Sequence, residues 1–176
     1  MSRVLPQSLV LDRRDIAGTW QTEFAHAVSN AAAARDGPPG FATLLRRWGR
    51  LDGYRVELTR AATATGLQEG PLAIQSSASV YRTAAGAHAA FAYDRRHLVP
   101  RGTARVALGF RLGDEASEFV SQNASGLGDL LEYTLVWRER NVLASLVVIG
   151  RVGVVSAADL APLARAQDRR IRRALR

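Results

Sequence analysis

Two adjacent acids and three histidines are the residues of this chain best suited to acid–base chemistry. Asp114 and Glu115 follow a glycine in the sequence GDEA, and the histidines are His26, His88 and His97. Paired catalytic acids must converge across a cleft, whereas neighbours in an extended chain point to opposite sides. The acids therefore indicate a hairpin turn. One alternative remains, a small α+β enzyme in which one of these acids works with His88 or His97.

The residue types and their spacing give little support for a metal site or a cofactor site. Glu23 and His26 have a spacing that suits a metal only on a helix that faces a second such pair, and the chain has no second pair. There is no cysteine, so disulfides, thiol catalysis and thiolate metal sites are excluded. Phosphate-binding, dinucleotide-binding and nucleophile-elbow motifs are also absent. We therefore predict no catalytic residues, no metal site and no cofactor.

The large aromatic residues are the best candidates for a ligand pocket. Ligand pockets are mostly apolar with a few polar groups, although aromatic rings also fill cores. The candidate ligand-binding residues are Trp20, Trp48, Tyr54, Tyr81, Tyr133 and Trp137.

Positive charge is concentrated at the C-terminus. All 24 basic residues are arginine, and the net charge is +8, of which the last twelve residues carry +5. Arginine near a helix C-terminus is favourable, and the absence of interleaved aromatic residues argues against stacking on nucleic-acid bases. A second alternative function is binding to an anionic surface or nucleic acid through this helix. The candidate anion-binding residues are Arg165, Arg169, Arg172, Arg173 and Arg176.

The stretch 129–150 is the element that must organise these groups. Leu131, Tyr133, Leu135 and Trp137 alternate with polar residues, which is typical of a strand that is buried on one face. A polar break follows, with Asn141 able to adopt a positive φ. The apolar, β-branched run after it predicts a central strand covered on both faces. We expect a long antiparallel hairpin.

Other alternating and helical patterns complete an α+β fold, a single twisted antiparallel sheet of about six strands with helices packed on one face. Alternation over 105–112 predicts one strand. The final helix is predicted to start at Ser156, which with Asp159 resembles a capping box, or at Asp159, which the position of Pro162 favours. Residues 1–8 are predicted to be a flexible N-terminus, and residues 9–176 a single domain with a basic C-terminal helix. No run of apolar residues is long enough to span a membrane.

Several short motifs resemble a family of exported domains common in actinobacteria. They are DIAGTW from Asp15, the pair Gly53 and Tyr54, VYRTA from Val80, GDEA from Gly113 and WRERNV from Trp137. In this order they are similar to the extracellular sensor domains of mycobacterial serine/threonine kinases of the PknH type and to related lipoproteins. They are more loosely similar to the PsbP/Mog1-like fold.

The resemblance implies a sheet packed on helices and a non-catalytic binding or sensing role outside the cytoplasm, with an unknown small ligand or protein partner. A homo-oligomer is compatible with it. The sequence departs from the family in two respects, because it has no cysteine for the family's disulfides and its start does not have the pattern of an export signal. We expect an extracytoplasmic protein if the start is truncated, and a soluble cytoplasmic protein if the start is as given.

Overall fold

A computed structural model describes residues 4–61, 63, 65–97, 103–126 and 128–176. The strands are β1 Gln21–Ala27, β2 Arg50–Thr59, β3 Ala73–Tyr81, β4 Ala104–Val106, β5 Glu115–Ser125, β6 Gly128–Glu139 and β7 Val142–Arg151. The α-helices are α1 Asn30–Asp36, α2 Phe41–Trp48, α3 Ala84–His97 and α4 Ala157–Ala174. Short 3₁₀ turns occupy Pro6–Leu9, Arg13–Asp15 and Gly66–Gln68.

All seven strands form one antiparallel sheet in the order β1-β2-β3-β7-β6-β5-β4. The α+β class and the antiparallel sheet are confirmed, with seven strands where about six were predicted. The predicted hairpin is formed by β6 and β7, which pair from Leu130 with Arg151 to Glu139 with Val142. The positive φ of its turn falls on Arg140, at 54°, rather than on the expected Asn141.

Helices cover both faces of the sheet, so the prediction that they pack on one face is wrong. Leu135 contributes to a core cluster beneath α4, whereas its neighbour Val136 belongs to a second cluster beneath α2 and α3. Because successive strand residues point to opposite faces, these two clusters lie on opposite sides of the sheet. We call them the α4 face and the α3 face. The hydropathy of the helices does not reveal which side of the sheet each one covers.

The α4 face is filled by apolar side chains from the central strands, the last helix and the N-terminal segment. A buried polar link joins these three parts of the chain. The Gln167 side chain accepts a hydrogen bond from Ser76 Oγ at 2.8 Å and donates one to the Ser77 carbonyl at 2.9 Å. Ser76 Oγ in turn accepts from the backbone amide of Leu11 at 3.1 Å. These bonds fix α4 and the N-terminal segment in register with β3.

Two local predictions are corrected. Alternation over 105–112 continues past the end of β4 at Val106, and the following residues form no regular strand even though Leu112 is buried. The final helix begins at Ala157 rather than Asp159, because the Asp159 carboxylate accepts a 2.8 Å hydrogen bond from the Ser156 amide, as in a capping box. The predicted boundary at residue 9 is not tested and stays a prediction.

Candidate functional site

A cleft of about 430 Å³ lies on the α3 face, between the sheet and helices α1, α2 and α3. Its roof includes Phe41, Trp48 and Asp94. Its floor is the part of the sheet that these helices do not cover tightly. The volume is within the range of pockets that hold small ligands.

Strand register explains why the floor is polar. Arg55 pairs with Ser77 across β2 and β3, and Ser77 pairs with Ser145 across β3 and β7. These three side chains therefore form a row on one face across three adjacent strands. A second row, from Glu57 through Gln75 to Val147, runs beside it.

Much of the floor is fixed by internal hydrogen bonds. The Ser77 and Ser145 hydroxyl oxygens lie 2.7 Å apart, and Gln75 Nε2 donates to Glu57 Oε2 at 3.0 Å. Such bonded side chains are held in position and do not have to reorganise when a ligand arrives.

Arg50 fixes one end of the cleft. Its side chain is buried and donates to Ser79 Oγ at 3.1 Å, to Asn30 Oδ1 at 2.8 Å and to the Val28 carbonyl at 2.9 Å. Burial lowers the pKa of the Arg50 guanidinium. The three bonds attach α1 and the end of β1 to the central strands, so Arg50 is a structural cation whose donors are in use.

Two ionisable groups at the inner end of the cleft have shifted pKa values. Burial raises the pKa of the Asp94 carboxyl to about 6, while the neighbouring His97 opposes this shift. Burial also raises the pKa of Tyr81 well above its ordinary value, and the proximity of Asp94 adds to that effect. A carboxyl group that titrates near neutrality in a cleft is typical of functional sites.

The predicted aromatic pocket is divided between the two faces of the sheet. Trp48 and Tyr81 border the cleft on the α3 face. Tyr54 packs against the core of the α4 face. Trp20 and Trp137 are buried in the core of the α4 face, and Tyr133 packs against that core. The six rings therefore do not line one pocket.

The structure does bring one predicted acid–histidine pair together. His88 Nδ1 lies 2.6 Å from Glu115 Oε1, which also accepts from Arg138 Nε at 2.6 Å. Asp114 pairs with the same arginine at 2.7 Å. Burial would raise the pKa of Glu115, but its hydrogen bonds from His88 and Arg138 hold the value below normal. Because the His88 side chain is 60% exposed and outside the cleft, the group resembles a surface ion-pair network.

The other two histidines lie apart from this pair. His97 Nδ1 is 2.8 Å from the Tyr93 carbonyl, and its ring stacks on Tyr93 at 3.9 Å between centroids. His26 is exposed on β1, beside Phe24. Within the described ranges, no three His, Asp or Glu side chains are grouped to hold a metal ion.

Several of the candidate anion-binding arginines make contacts within the protein. Arg172 binds Asp168 at 2.7 Å and Glu139 at 3.0 Å. Arg165 lies over the Phe110 ring at 5.1 Å, and Arg173 Nε donates to the carbonyl of Arg169 at 3.3 Å. Arg169 and Arg176 have exposed side chains. The helix therefore does not present all five guanidinium groups to one anion.

A larger groove of about 640 Å³ lies beside the N-terminal turns, at the edge formed by β1 and β2. Its charged side chains largely pair with one another, since Asp12 binds Arg14 at 2.8 Å and Arg170 binds Asp15 at 2.8 Å. The smaller cleft on the α3 face is the better candidate site because it lies between the sheet and three helices and is bordered by Asp94, the carboxyl group whose pKa burial raises to about 6.

Five polar residues of the cleft were not predicted as site residues from the sequence: Arg55, Gln75, Ser77, Asp94 and Ser145. A signal was present, because the polar positions of β2, β3 and β7 alternate with apolar ones. Alternation alone indicates a solvated face, and only the position of α1–α3 makes that face a cleft.

Comparisons with known proteins give a likeness of fold. No protein-family model and no curated protein matches the chain. The fold is similar to the crystal structure of the extracellular domain of PknH from Mycobacterium tuberculosis, with a TM-score of 0.60, 9% identity and 94% of each chain covered. Among the helices described, none has the length and apolar character needed to cross a membrane. The chain thus shares the fold of that extracellular domain.

Proposed function

We propose that this protein is a non-catalytic binding or sensor-like domain that holds a small ligand in the cleft on the α3 face. The observation that carries the proposal is the polar floor beneath α1–α3. Apolar packing fills the α4 face of the same strands, whereas here an open space of about 430 Å³ is lined by ordered polar groups. The fold shared with the PknH extracellular domain supports this role and an extracytoplasmic location.

Packing provides the physical argument. Protein interiors are close-packed, and an empty space between a sheet and its helices forfeits contacts that apolar side chains could make. Ser77 and Ser145 occupy central positions where larger apolar residues would close the gap. Retaining small polar residues there is what a binding site requires.

A titration monitored by amide NMR tests the proposal. The ¹⁵N-labelled protein is screened against a fragment collection of amino acids, sugars, nucleosides and short lipids. We expect hits whose shift changes centre on the amides of β3 and β7 beneath the cleft. The proposal is refuted if every fragment that binds does so in the larger groove beside the N-terminal turns, or if no fragment binds at all.

A pair of matched variants sharpens this experiment. Ser145→Phe places a ring in the cleft and should abolish binding of every hit. Asn123→Phe places the same ring on an exposed position of β5, on the same face of the sheet but beyond the cleft, and should leave binding unchanged. Equal loss in both variants would show that the ligands do not use the cleft.

A further inference from the structure

Three polar groups that border the cleft have no partner in the described part of the chain. The Asp94 carboxylate makes no hydrogen bond or ion pair there, and neither does the hydroxyl of Tyr81, a residue that is 3% exposed. Arg55 forms no ion pair, and its Nε is buried without an acceptor. Buried polar groups are normally hydrogen-bonded, and each exception calls for an explanation.

Neighbouring polar groups show that the local geometry does not prevent pairing. Arg50, which lies on the same strand five residues before Arg55, uses its side chain for three hydrogen bonds. Gln75 binds Glu57, and Ser77 contacts Ser145. Asp94, Tyr81 and Arg55 thus remain unpaired in a cleft whose neighbouring polar side chains are bonded.

These groups have complementary chemistry. Asp94, when ionised, accepts hydrogen bonds, and Arg55 donates them from a permanent cation. The two residues share the cleft without forming an ion pair with each other. A ligand with a cationic donor at one end and an anionic acceptor at the other would satisfy both with charge-assisted hydrogen bonds.

The rest of the lining suits the cationic end. Phe41 and Trp48 border the same cleft as Asp94, with their ring centroids 5.9 Å apart. Aromatic faces attract ammonium groups, and more strongly where water is excluded. The cleft volume of about 430 Å³ suits a molecule of amino-acid to short-peptide size.

We propose that the cleft binds a zwitterionic amino acid or short peptide, with its ammonium group at Asp94 and Tyr81 and its carboxylate at Arg55. This assignment rests on the proposed function and names the ligand class. It requires both termini of the ligand to be free, and that requirement separates it from binding of sugars, lipids or internal peptide segments.

The test is an NMR titration of the full chain with the twenty free amino acids, Gly-Gly and Ala-Ala, each at up to 10 mM. Every probe that shifts the cleft amides is then compared with its N-acetyl derivative and its C-terminal amide. We expect at least one zwitterion to bind, and either modification to weaken its affinity by tenfold or more.

Four variants complete the experiment. Asp94→Asn and Arg55→Gln should each weaken binding of the hit at least tenfold. Asp129→Asn and Arg46→Gln are the controls, because neither residue lines the cleft: Asp129 accepts from Gln122 at 3.1 Å and Arg46 donates to Thr43 at 3.1 Å. Both control variants should bind the hit as tightly as the unmodified protein does. Circular dichroism spectra of all four variants are recorded to check that each one folds.

The two proposals fail separately. If no zwitterion binds, or if blocked and free termini bind equally, the zwitterion assignment is overturned, while cleft binding by another fragment would leave the proposed function intact. If every fragment that binds the unmodified protein also binds the Ser145→Phe variant, the proposed function itself is refuted.

Discussion

The two faces of the sheet are built from the same strands and yet differ in how they are filled. On the α4 face, Leu58, Leu135, Leu146 and Val148 are fully buried beneath one long helix. On the α3 face, most of the residues next to them in sequence are polar or partly exposed, although Val136 is buried, and three shorter helices leave a cleft. The comparison separates a face that supplies stability from a face that is available for binding.

The largest test of this comparison uses two neighbouring residues of β7. Leu146→Ala should reduce the free energy of unfolding by about 2–5 kcal/mol, since it leaves a cavity in a packed core. Val147→Ala removes apolar bulk on the opposite, cleft-facing side and should reduce it by about 1 kcal/mol or less. Urea unfolding of both variants measures the difference. Equal losses would contradict the assignment of stability to the α4 face.

The roof of the cleft depends on close contact between α2 and α3. A Cβ atom added at Gly86 would lie 1.9 Å from the Trp48 carbonyl oxygen, a backbone atom that cannot move independently of its helix. Gly86→Ala should therefore destabilise the protein by about 1–3 kcal/mol, as overpacked variants do. Ala85→Ser, at an exposed position of the same helical turn, is the control. A thermal melt of Gly86→Ala like that of the control would indicate that the two helices separate easily.

Asp94 should make the stability depend on pH. Because burial raises its pKa from 3.8 to about 6, the folded state holds this proton more tightly than the unfolded state. The resulting stabilisation is fully present below pH 3.8 and is lost as the pH rises through about 6. The facing groups are His97 on the same helix and Tyr81 on β3.

The matching variant is Asp94→Asn, which cannot ionise. At pH 7.5 it should be more stable than the unmodified protein by about 1–2 kcal/mol, and this advantage should disappear near pH 4. Urea midpoints measured between pH 4 and pH 8 give the comparison. An advantage that does not change with pH would show that the charge of Asp94 is not the cause.

The smallest effect concerns the arginines of α4. Arg172→Ala leaves Asp168 and Glu139 without their shared cation and should destabilise the fold by about 1 kcal/mol. Arg169→Ala removes an exposed side chain and should change the stability by less than about 0.5 kcal/mol. Differential scanning calorimetry can resolve the pair. Identical melting temperatures for the two variants would show that the ion pairs of Arg172 do not contribute to stability.

The sequence predicted elements best where a pattern has a single structural solution. The alternation of Leu131, Tyr133, Leu135 and Trp137 predicted a strand that directs these side chains to one face, and β6 does so. The same reasoning failed over 105–112, where alternation without a neighbouring strand to pair with produced only the short β4. Periodicity indicates which side chains share a face, but hydrogen bonding to a neighbour decides whether a strand forms.

The candidate site was predicted less well than the fold. Trp48 and Tyr81 do border the cleft, whereas the other four aromatic residues pack on the α4 face. Grouping all six depended on residue type alone, and residue type does not specify a face. Arg55 and Asp94 are separated by 39 positions in the chain and meet in one cleft only after β2 and α3 are placed.

The sequence by itself determined the antiparallel hairpin, the apolar core and the capped helices, because these follow from side-chain periodicity and local hydrogen bonding. Tertiary structure alone decided that helices cover both faces and that one polar face is enclosed. The physical reason is that a polar strand residue has the same local preference whether it faces bulk water or a covered cleft. That distinction exists only when a distant helix lies over it.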